Sequence, residues 1–250
     1  MVMLVTSKKN IAGMNIARKC EKLRLKVHYC EEDILKINKL PDSDAYIFLS
    51  THKSESKMPC LTSHFPGVFS NDTSYGGNPK ELSYTYPSLQ KIYMQTLNDL
   101  KGAKPELEKY QVVVEATHHG PTHFKKPVLF VEIGSSEEEW QEEAPAELIA
   151  KTVKKTLEKI KDEKFTKIGI AFGGTHYPDK FTKVIIDGEF AIGHIFPKYQ
   201  SENMDDVMFD QMVKKSKEAV EYVLIDWKGI NNKSRIVEWA KNKGFEVVKL

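Results

Sequence analysis

"YQVVVEATHHGPTHFKKPVLFVEIG", residues Tyr110–Gly134, is the stretch that decides how this chain folds. "YQVVVEA" carries the β-branched run of a strand, and "PVLFVEIG" carries a second one. Between them, three of the chain's eight histidines and Glu115 fall within the ten residues from Glu115 to Phe124. A polar loop and a metal site both fit such crowding. In open α/β sheets ligands bind beyond the carboxyl ends of parallel strands, so a histidine-laden strand end invites the second reading.

Working outward, the same strand signal recurs between helical patterns. "MLVTS" is followed by "NIAGMNIARKCEKL", which sets Ile16, Cys20 and Leu23 on one side of a helix, and then by the short strands "KVHYC" and "AYIFLS". No G-x-G-x-x-G follows the first strand, so no dinucleotide site is inferred. Residues 51–88, rich in Ser, Pro, Gly and Asn, read as a long irregular stretch of the kind that is functional or mobile. "SLQKIYMQTLNDL" reads as a helix. "SSEEEWQEEAPAELIAKTVKKTLEKIK" reads as another, acidic at its start and basic at its end, with Ile149, Val153, Leu157 and Ile160 as its buried stripe. "KIGIAFGG" is a strand, and "KVIIDGEFAIGHIF" reads as a hairpin turning at Asp187-Gly188. Helix, strand, helix and strand follow in "MFDQMVKKSKEA", "EYVLID", "KSRIVEWAKNKG" and "FEVVKL". This alternation predicts an α/β fold with a mixed, mostly parallel sheet flanked by helices. A small N-terminal α/β lobe over residues 1–55 and a main catalytic domain over 56–250 are expected, or one continuous domain.

Bulk properties remove several classes of function. The 250 residues are 40% hydrophobic and 29% charged, with a net charge of +2, so a nucleic-acid partner has to be held by a local basic patch. Cys20, Cys30 and Cys60 are odd in number and lack C-x-x-C spacing, which argues against a disulfide framework and a cysteine-rich zinc finger. "MVMLV" is too short for a membrane span and lacks the layout of a signal peptide, so the expected location is the cytoplasm, with no membrane partner. "NDT" at Asn71 and "NKS" at Asn232 match the glycosylation pattern but carry little weight there.

Four strand ends hold the polar residues. His52 follows "YIFLS", His118, His119 and His123 follow "VVVEAT", Glu132 lies in "LFVEIGSS", and His176 follows "IGIAFGGT". His64 lies in the irregular stretch and His194 in "IGHIFPK". Imidazole nitrogen and carboxylate oxygen suit zinc, and a catalytic zinc site keeps one position open. No H-E-x-x-H signature is present, so spacing alone leaves polar loop and metal site both open. His28 reads as a structural strand histidine, and Gly173-Gly174 as a tight turn or, less specifically, a phosphate cradle without its G-K-[ST] continuation.

Taken together, "EATHHGPTHF", "PVLFVEIGSSEEEW", "FGGTHYPDKFT", "IGHIFPKY" and "LIDWKGI", with "STHKSESKMPCLTSHFPG" upstream, resemble the archaeal-type, zinc-dependent D-aminoacyl-tRNA deacylases, the class also found in plants. The likeness runs from about residue 46 to 230 and departs mildly at Val68 and Phe69. It implies a monomeric hydrolase that splits D-aminoacyl-tRNA into tRNA and a free D-amino acid. It also implies bound zinc, two ions per chain, and a fold distantly like phosphorylases, peptidyl-tRNA hydrolases and zinc exopeptidases. On this reading the ligand pool is His118, His119, Glu132, His176 and His194, then His52 and His64. Glu115 is the general base or the partner that orients a histidine, and Thr117, Thr175 and Ser135 bind the α-amino group or the oxyanion. Lys125, Lys126, Lys180, Lys183 and Lys228, with Lys233 and Arg235 near the last, are the expected tRNA contacts. Two rivals stand beside it: a zinc exopeptidase or peptidyl-tRNA hydrolase-like enzyme, and a non-catalytic tRNA-binding module with structural zinc.

Overall fold

The computed structural model describes residues 1–55 and 57–250. Ten strands divide between two sheets. The first holds β1 (Val2–Ser7), β2 (Val27–Cys30), β3 (Ala45–Thr51), β4 (Cys60–His64), β5 (Gln111–Val114) and β6 (Val128–Gly134) in the order β2-β1-β3-β6-β4-β5. The second holds β7 (Ile168–Phe172), β8 (Ala191–Phe196), β9 (Tyr222–Ile225) and β10 (Glu246–Lys249) in the order β10-β9-β7-β8, all parallel. In the first sheet β2, β1, β3 and β6 run parallel, and the β4–β5 pair runs against them across the antiparallel β6–β4 seam. The mixed, mostly parallel α/β class therefore stands, built as two sheets.

The expected boundary at residues 55 and 56 falls inside the first sheet. β3 on one side of it and β4 on the other both pair with β6. Residues 51–88 also contain a strand that the sequence hides: "CLTSH" is short and polar, yet β4 is buried along its whole length because it lies between two partners.

The described residues also form seven α-helices: α1 (Ile11–Lys22), α2 (Pro87–Gly102), α3 (Glu137–Gln141), α4 (Glu143–Lys159), α5 (Asp179–Asp187), α6 (Asp206–Lys214) and α7 (Lys233–Asn242). The expected single helix after Gly134 is two, broken at Glu142, whose carbonyl accepts from Asn15 Nδ2 at 2.8 Å. The expected hairpin at Asp187-Gly188 is instead the end of α5. Phe181 and Ile185, four residues apart, are both buried, and the buried Lys91 ammonium donates to the Ile185 and Gly188 carbonyls at 2.7 Å each. A cation at a helix C-terminus meets the negative end of the dipole, which outweighs the local Asp-Gly turn signal.

Side chains alternate across the first sheet. Leu4, Ile47, Leu49, Leu129, Val131 and Ile133 point to the face covered by α1, α2 and α4. On the other face Phe48 stands opposite Phe130, Ser50 opposite Glu132, Thr62 opposite Glu132, and His64 opposite Phe130. That second face carries loops instead of helices, and there the polar residues gather. Val68 and Phe69, unexpected in a polar turn, are buried, with Phe69 edge-on to Phe196 at 4.8 Å between ring centres.

Candidate active site

Five histidines from four segments meet on that face. His52 follows β3, His64 ends β4, His118 and His119 follow β5, and His176 follows β7. The rings form a chain, with centres 4.3 Å apart for His64–His118, 4.3 Å for His118–His119 and 4.6 Å for His118–His176. Backbone bonds fix the join between the sheets: the Ala116 amide donates to the His176 carbonyl and the Thr117 amide to the Ile195 carbonyl, both at 2.9 Å. His119 adopts φ 44°, a left-handed conformation that costs about 1–2 kcal/mol in a non-glycine residue and occurs preferentially at functional sites.

Two buried carboxylates lie among these rings. Glu115 is 1% exposed and Glu132 2%. Glu115 Oε2 accepts from His176 Nε2 at 2.8 Å and sits 3.1 Å from His52 Nδ1. His52 Nε2 meets the Tyr177 hydroxyl at 2.5 Å, and Trp140 Nε1 donates to the His52 carbonyl at 2.9 Å. Tyr177 and Trp140 are supports that the reading of histidines alone passed over, although both lie inside the quoted motifs. Burial alone would raise the Glu115 carboxyl, but the His52 and His64 charges and the His176 bond hold it well below its ordinary value. For His52, burial works toward the neutral ring, and the Glu115 and Glu132 carboxylates reverse that and raise it.

The tautomers of His118 and His119 follow from their carbonyl partners. His118 Nδ1 donates to the Ala116 carbonyl at 2.8 Å, and His119 Nδ1 to the Gly120 carbonyl at 2.7 Å. Each Nε2 is therefore a bare lone pair. Burial, then the neighbouring His64, lowers both, His119 to about 3, so both rings stay neutral. His64 Nε2 lies 3.1 Å from His119 Nε2 and donates to it, which leaves His64 Nδ1 facing Glu115 Oε1 at 3.5 Å. These last two atoms are buried and have no hydrogen-bond partner among the described residues. An unsatisfied buried polar atom costs about 1–3 kcal/mol, and an imidazole nitrogen facing a carboxylate oxygen calls for a cation or proton between them.

Three overlapping groups bring ligand-type atoms within 4.8 Å of one another: His64, His118 and His119; His52, Glu115 and His176; and His64, Glu115 and Glu132. Nitrogen and carboxylate donors of this kind fit zinc. The first group fits best: the Nε2 lone pairs of His118 and His119 are fixed inward, only the His119 one takes a proton from His64, and His64 Nδ1 and Glu115 Oε1 lie beside them. The second group already shares protons with Glu115, so an ion there would have to displace them. A cavity of about 1030 Å³ opens over the cluster, lined by His52, Thr117, His118, His119, Glu132 and His176, while Glu115 and His64 lie beneath its floor.

Other expected site residues are bonded elsewhere, Thr117 among them although it lines the cavity. His194 is fully buried, with Nδ1 3.0 Å from Thr117 Oγ1 and Nε2 donating to the Ser83 carbonyl at 2.9 Å, so neither ring nitrogen is free for a metal. Thr117 Oγ1 accepts from the Ile195 amide at 3.1 Å and donates to His194. Thr175 is exposed, donates to the Tyr177 carbonyl and lines a separate, smaller hollow. Ser135 donates to the Met58 carbonyl at 2.6 Å. His123 Nε2 donates to the Asn38 carbonyl, outside the cluster. Lys125, Lys126, Lys180, Lys183 and Lys228 are not among the cavity-lining residues; Lys9, Lys53 and Lys57 are.

Comparisons with known proteins show the family. The model of the D-aminoacyl-tRNA deacylase family matches residues 40–248. The chain is similar to the D-aminoacyl-tRNA deacylase of Methanococcus maripaludis (strain C7), 38% identical over 95% of this chain and 94% of that one. It is 37% identical to that of Methanocaldococcus jannaschii over 98% and 97% of the two chains. A solved crystal structure of a conserved protein of unknown function has a TM-score of 0.90 to it at 29% identity, covering 100% of this chain and 95% of that one. No helix among the described residues is long and apolar enough to cross a membrane.

Proposed function

Because the chain belongs to the D-aminoacyl-tRNA deacylase family, we propose that it hydrolyses the ester between a D-amino acid and the 3′-terminal adenosine of tRNA. The products are free tRNA and the free D-amino acid. The observation that carries this reading is the cavity floor, where orphaned His64 Nδ1 and Glu115 Oε1 face one another beneath two fixed Nε2 lone pairs. His64, His118, His119 and Glu115 are the residues that would hold zinc, and His52 and Glu132 are the pool for a second ion. Bound zinc supplies Lewis-acid activation of an ester carbonyl and of water near neutral pH.

The chain's own residues divide the remaining work. Glu115 is sealed under the floor and does not meet substrate directly. It holds the proton of His176 Nε2, which leaves His176 Nδ1 as the acceptor for the proton of the attacking water. His176 is partly exposed and lines the cavity, as this role requires. Water oxygen bonds to the carbonyl carbon, the carbon–ribose oxygen bond breaks, and the proton passes to the leaving ribose oxygen. His118 and His176 open onto a large cavity, which supports a catalytic site over a closed structural one. The enzyme is expected to act as a monomer in the cytoplasm.

The decisive experiment is deacylation of matched D- and L-tyrosyl-tRNA, with metal content measured before and after chelation. Loss of D-ester hydrolysis on chelation and its return with zinc support the reading. Full activity in metal-free protein would remove zinc from it. Peptide hydrolysis without action on D-tyrosyl-tRNA would favour the exopeptidase rival.

A further inference from the structure

The cavity is far larger than an aminoacyl group, and its walls differ from its floor. Three of the six large apolar side chains left exposed among the described residues line it: Ile11, Tyr75 and Tyr199. Tyr75 is 71% exposed and Tyr199 56%, and neither ring has a ring or hydrogen-bond partner among the described residues. Tyr75 is nevertheless firmly placed. Its carbonyl accepts from the Gly120 amide at 3.1 Å, directly after the paired histidines. Gly120 packs so tightly there that a Cβ would sit 2.1 Å from the Gly77 nitrogen, and Gly76 and Gly77 turn away at φ 76° and 82°. Such an approach admits only glycine. A rigid backbone thus presents a bare aromatic ring to the cavity. Tyr199 stands after β8, on the second-sheet side, where burial of its hydroxyl and then the Glu115 charge push the phenol up to about 12.

Free amines line the same cavity. Lys9, Lys53 and Lys57 have no ion pair among the described residues, whereas Lys8 beside them is paired with Glu31. Asp33, Glu55 and Asp72 also line its walls; Asp33 and Asp72 each turn an oxygen onto a backbone amide, that of Leu35 or Ser74, at 2.9 Å.

We propose that Tyr75 and Tyr199 are stacking platforms for the last bases of a single-stranded RNA 3′ end, with Lys9, Lys53 and Lys57 taking its phosphates. This deepens the deacylase reading and rests on it for the identity of the strand. Unpaired aromatic faces with lysines alongside are the combination that binds single strands without reading their sequence. They bind substrate and take no part in the chemistry.

The test is direct binding of the 5′-phosphorylated RNA trinucleotide CCA to the zinc-loaded protein, alongside hydrolysis of D-tyrosyl-tRNA. Tyr75→Leu and Tyr199→Leu should each weaken CCA roughly ten-fold, within the range found for base–aromatic stacking. Tyr75→Phe and Tyr199→Phe should bind as wild type. Lys9→Ala with Lys53→Ala should flatten the salt dependence of binding by about 1.4 log units per log unit of salt. Wild-type protein that hydrolyses D-tyrosyl-tRNA while CCA affinity ignores both leucine variants would overturn the platforms and leave the deacylase. Tyrosine-dependent CCA binding without any hydrolysis would uphold the platforms and remove the deacylase.

Discussion

Two buried polar clusters lie one residue apart on the same loop, and they are finished differently. At the seam between the sheets the bonds run from the Ile195 amide to Thr117 Oγ1, from that hydroxyl to His194, and from His194 to the Ser83 carbonyl. Every donor meets an acceptor. On the cavity floor, from His118 onward, lone pairs face inward and two buried atoms have nothing to bind. A closed network rigidifies a fold, whereas an open one costs stability unless something fills it. The contrast separates a closed histidine network that joins the sheets from an open cluster whose donors are of the kind that could hold a metal.

The contrast is broken most severely at the floor. His118→Ala should lower kcat by at least 10²–10³-fold, in the range for losing a charge-stabilising group, and should reduce bound zinc. The metal-free variant should lose only about 1 kcal/mol, because the ring makes one carbonyl bond and opens onto the cavity. His176→Ala should also lower kcat, with tRNA affinity nearly unchanged. Either variant losing tRNA binding at normal kcat would turn the floor into an RNA contact.

The seam should respond the opposite way. His194→Leu strands the Thr117 hydroxyl and the Ser83 carbonyl, a loss of roughly 2–4 kcal/mol. For a chain of this size that lowers Tm by roughly 5–12 °C, while zinc content stays intact. Acid sharpens the test. Burial, opposed in part by the Ser83 bond, holds His194 at about 3 in the fold, against an ordinary value of 6.5. Below pH 6.5 the unfolded chain binds the extra proton, so stability falls as pH drops from 6.5 toward 3, by about 1.4 kcal/mol per unit. His194→Leu lacks that proton, so its deficit relative to wild type should shrink across this window. A constant deficit would show that His194 does not titrate as a buried neutral ring.

Thr117→Val makes a smaller break in the same network. It leaves the Ile195 amide without its side-chain acceptor and His194 without a donor, at a cost of about 1–2 kcal/mol. Activity per folded molecule should hold if Thr117 serves only the seam. A large fall in kcat with Tm preserved would return Thr117, which lines the cavity, to the α-amino or oxyanion role that the family resemblance implies.

How far the sequence anticipated this contrast depends on the range of the forces involved. Strand and helix alternation was legible because it is written in local apolar periodicity. β4 was not, since "CLTSH" is made a strand by β5 and β6 on either side of it and not by its own pattern. His64, the last residue of β4, was therefore read as a loop histidine although it lies at the centre of the floor. His194 looked equivalent to its fellows because a sequence counts imidazoles and cannot show which nitrogens are already bonded. The motif clusters brought His52, His118, His119, Glu132 and His176 to one place. The rim was the least legible part: lysines near a histidine in sequence, such as Lys180, do not line the cavity, and the cavity lysines come from the segments that follow β1 and β3.

Lys180 provides the smallest effect and the cleanest contrast with the rim. Its ammonium donates to Asp226 Oδ1 at 2.6 Å and to the Leu250 carbonyl at 3.0 Å, so it ties the start of α5 to the end of β9 and to the chain terminus. The pair is about half exposed on the lysine side, which limits its worth to under about 1 kcal/mol. Lys180→Gln should lower Tm by no more than about 3 °C, and less at high salt, as screening weakens an exposed pair. A phosphate contact would behave otherwise. Losing one should reduce the salt slope of tRNA binding by about 0.7 and raise KM at low salt. With the ammonium already neutralised by Asp226, neither change is expected, and KM for D-tyrosyl-tRNA should match wild type from low to high salt. A slope that falls by 0.7 in Lys180→Gln would mean that tRNA competes Lys180 away from Asp226, and the RNA path would then run over the second sheet as well as the cavity rim.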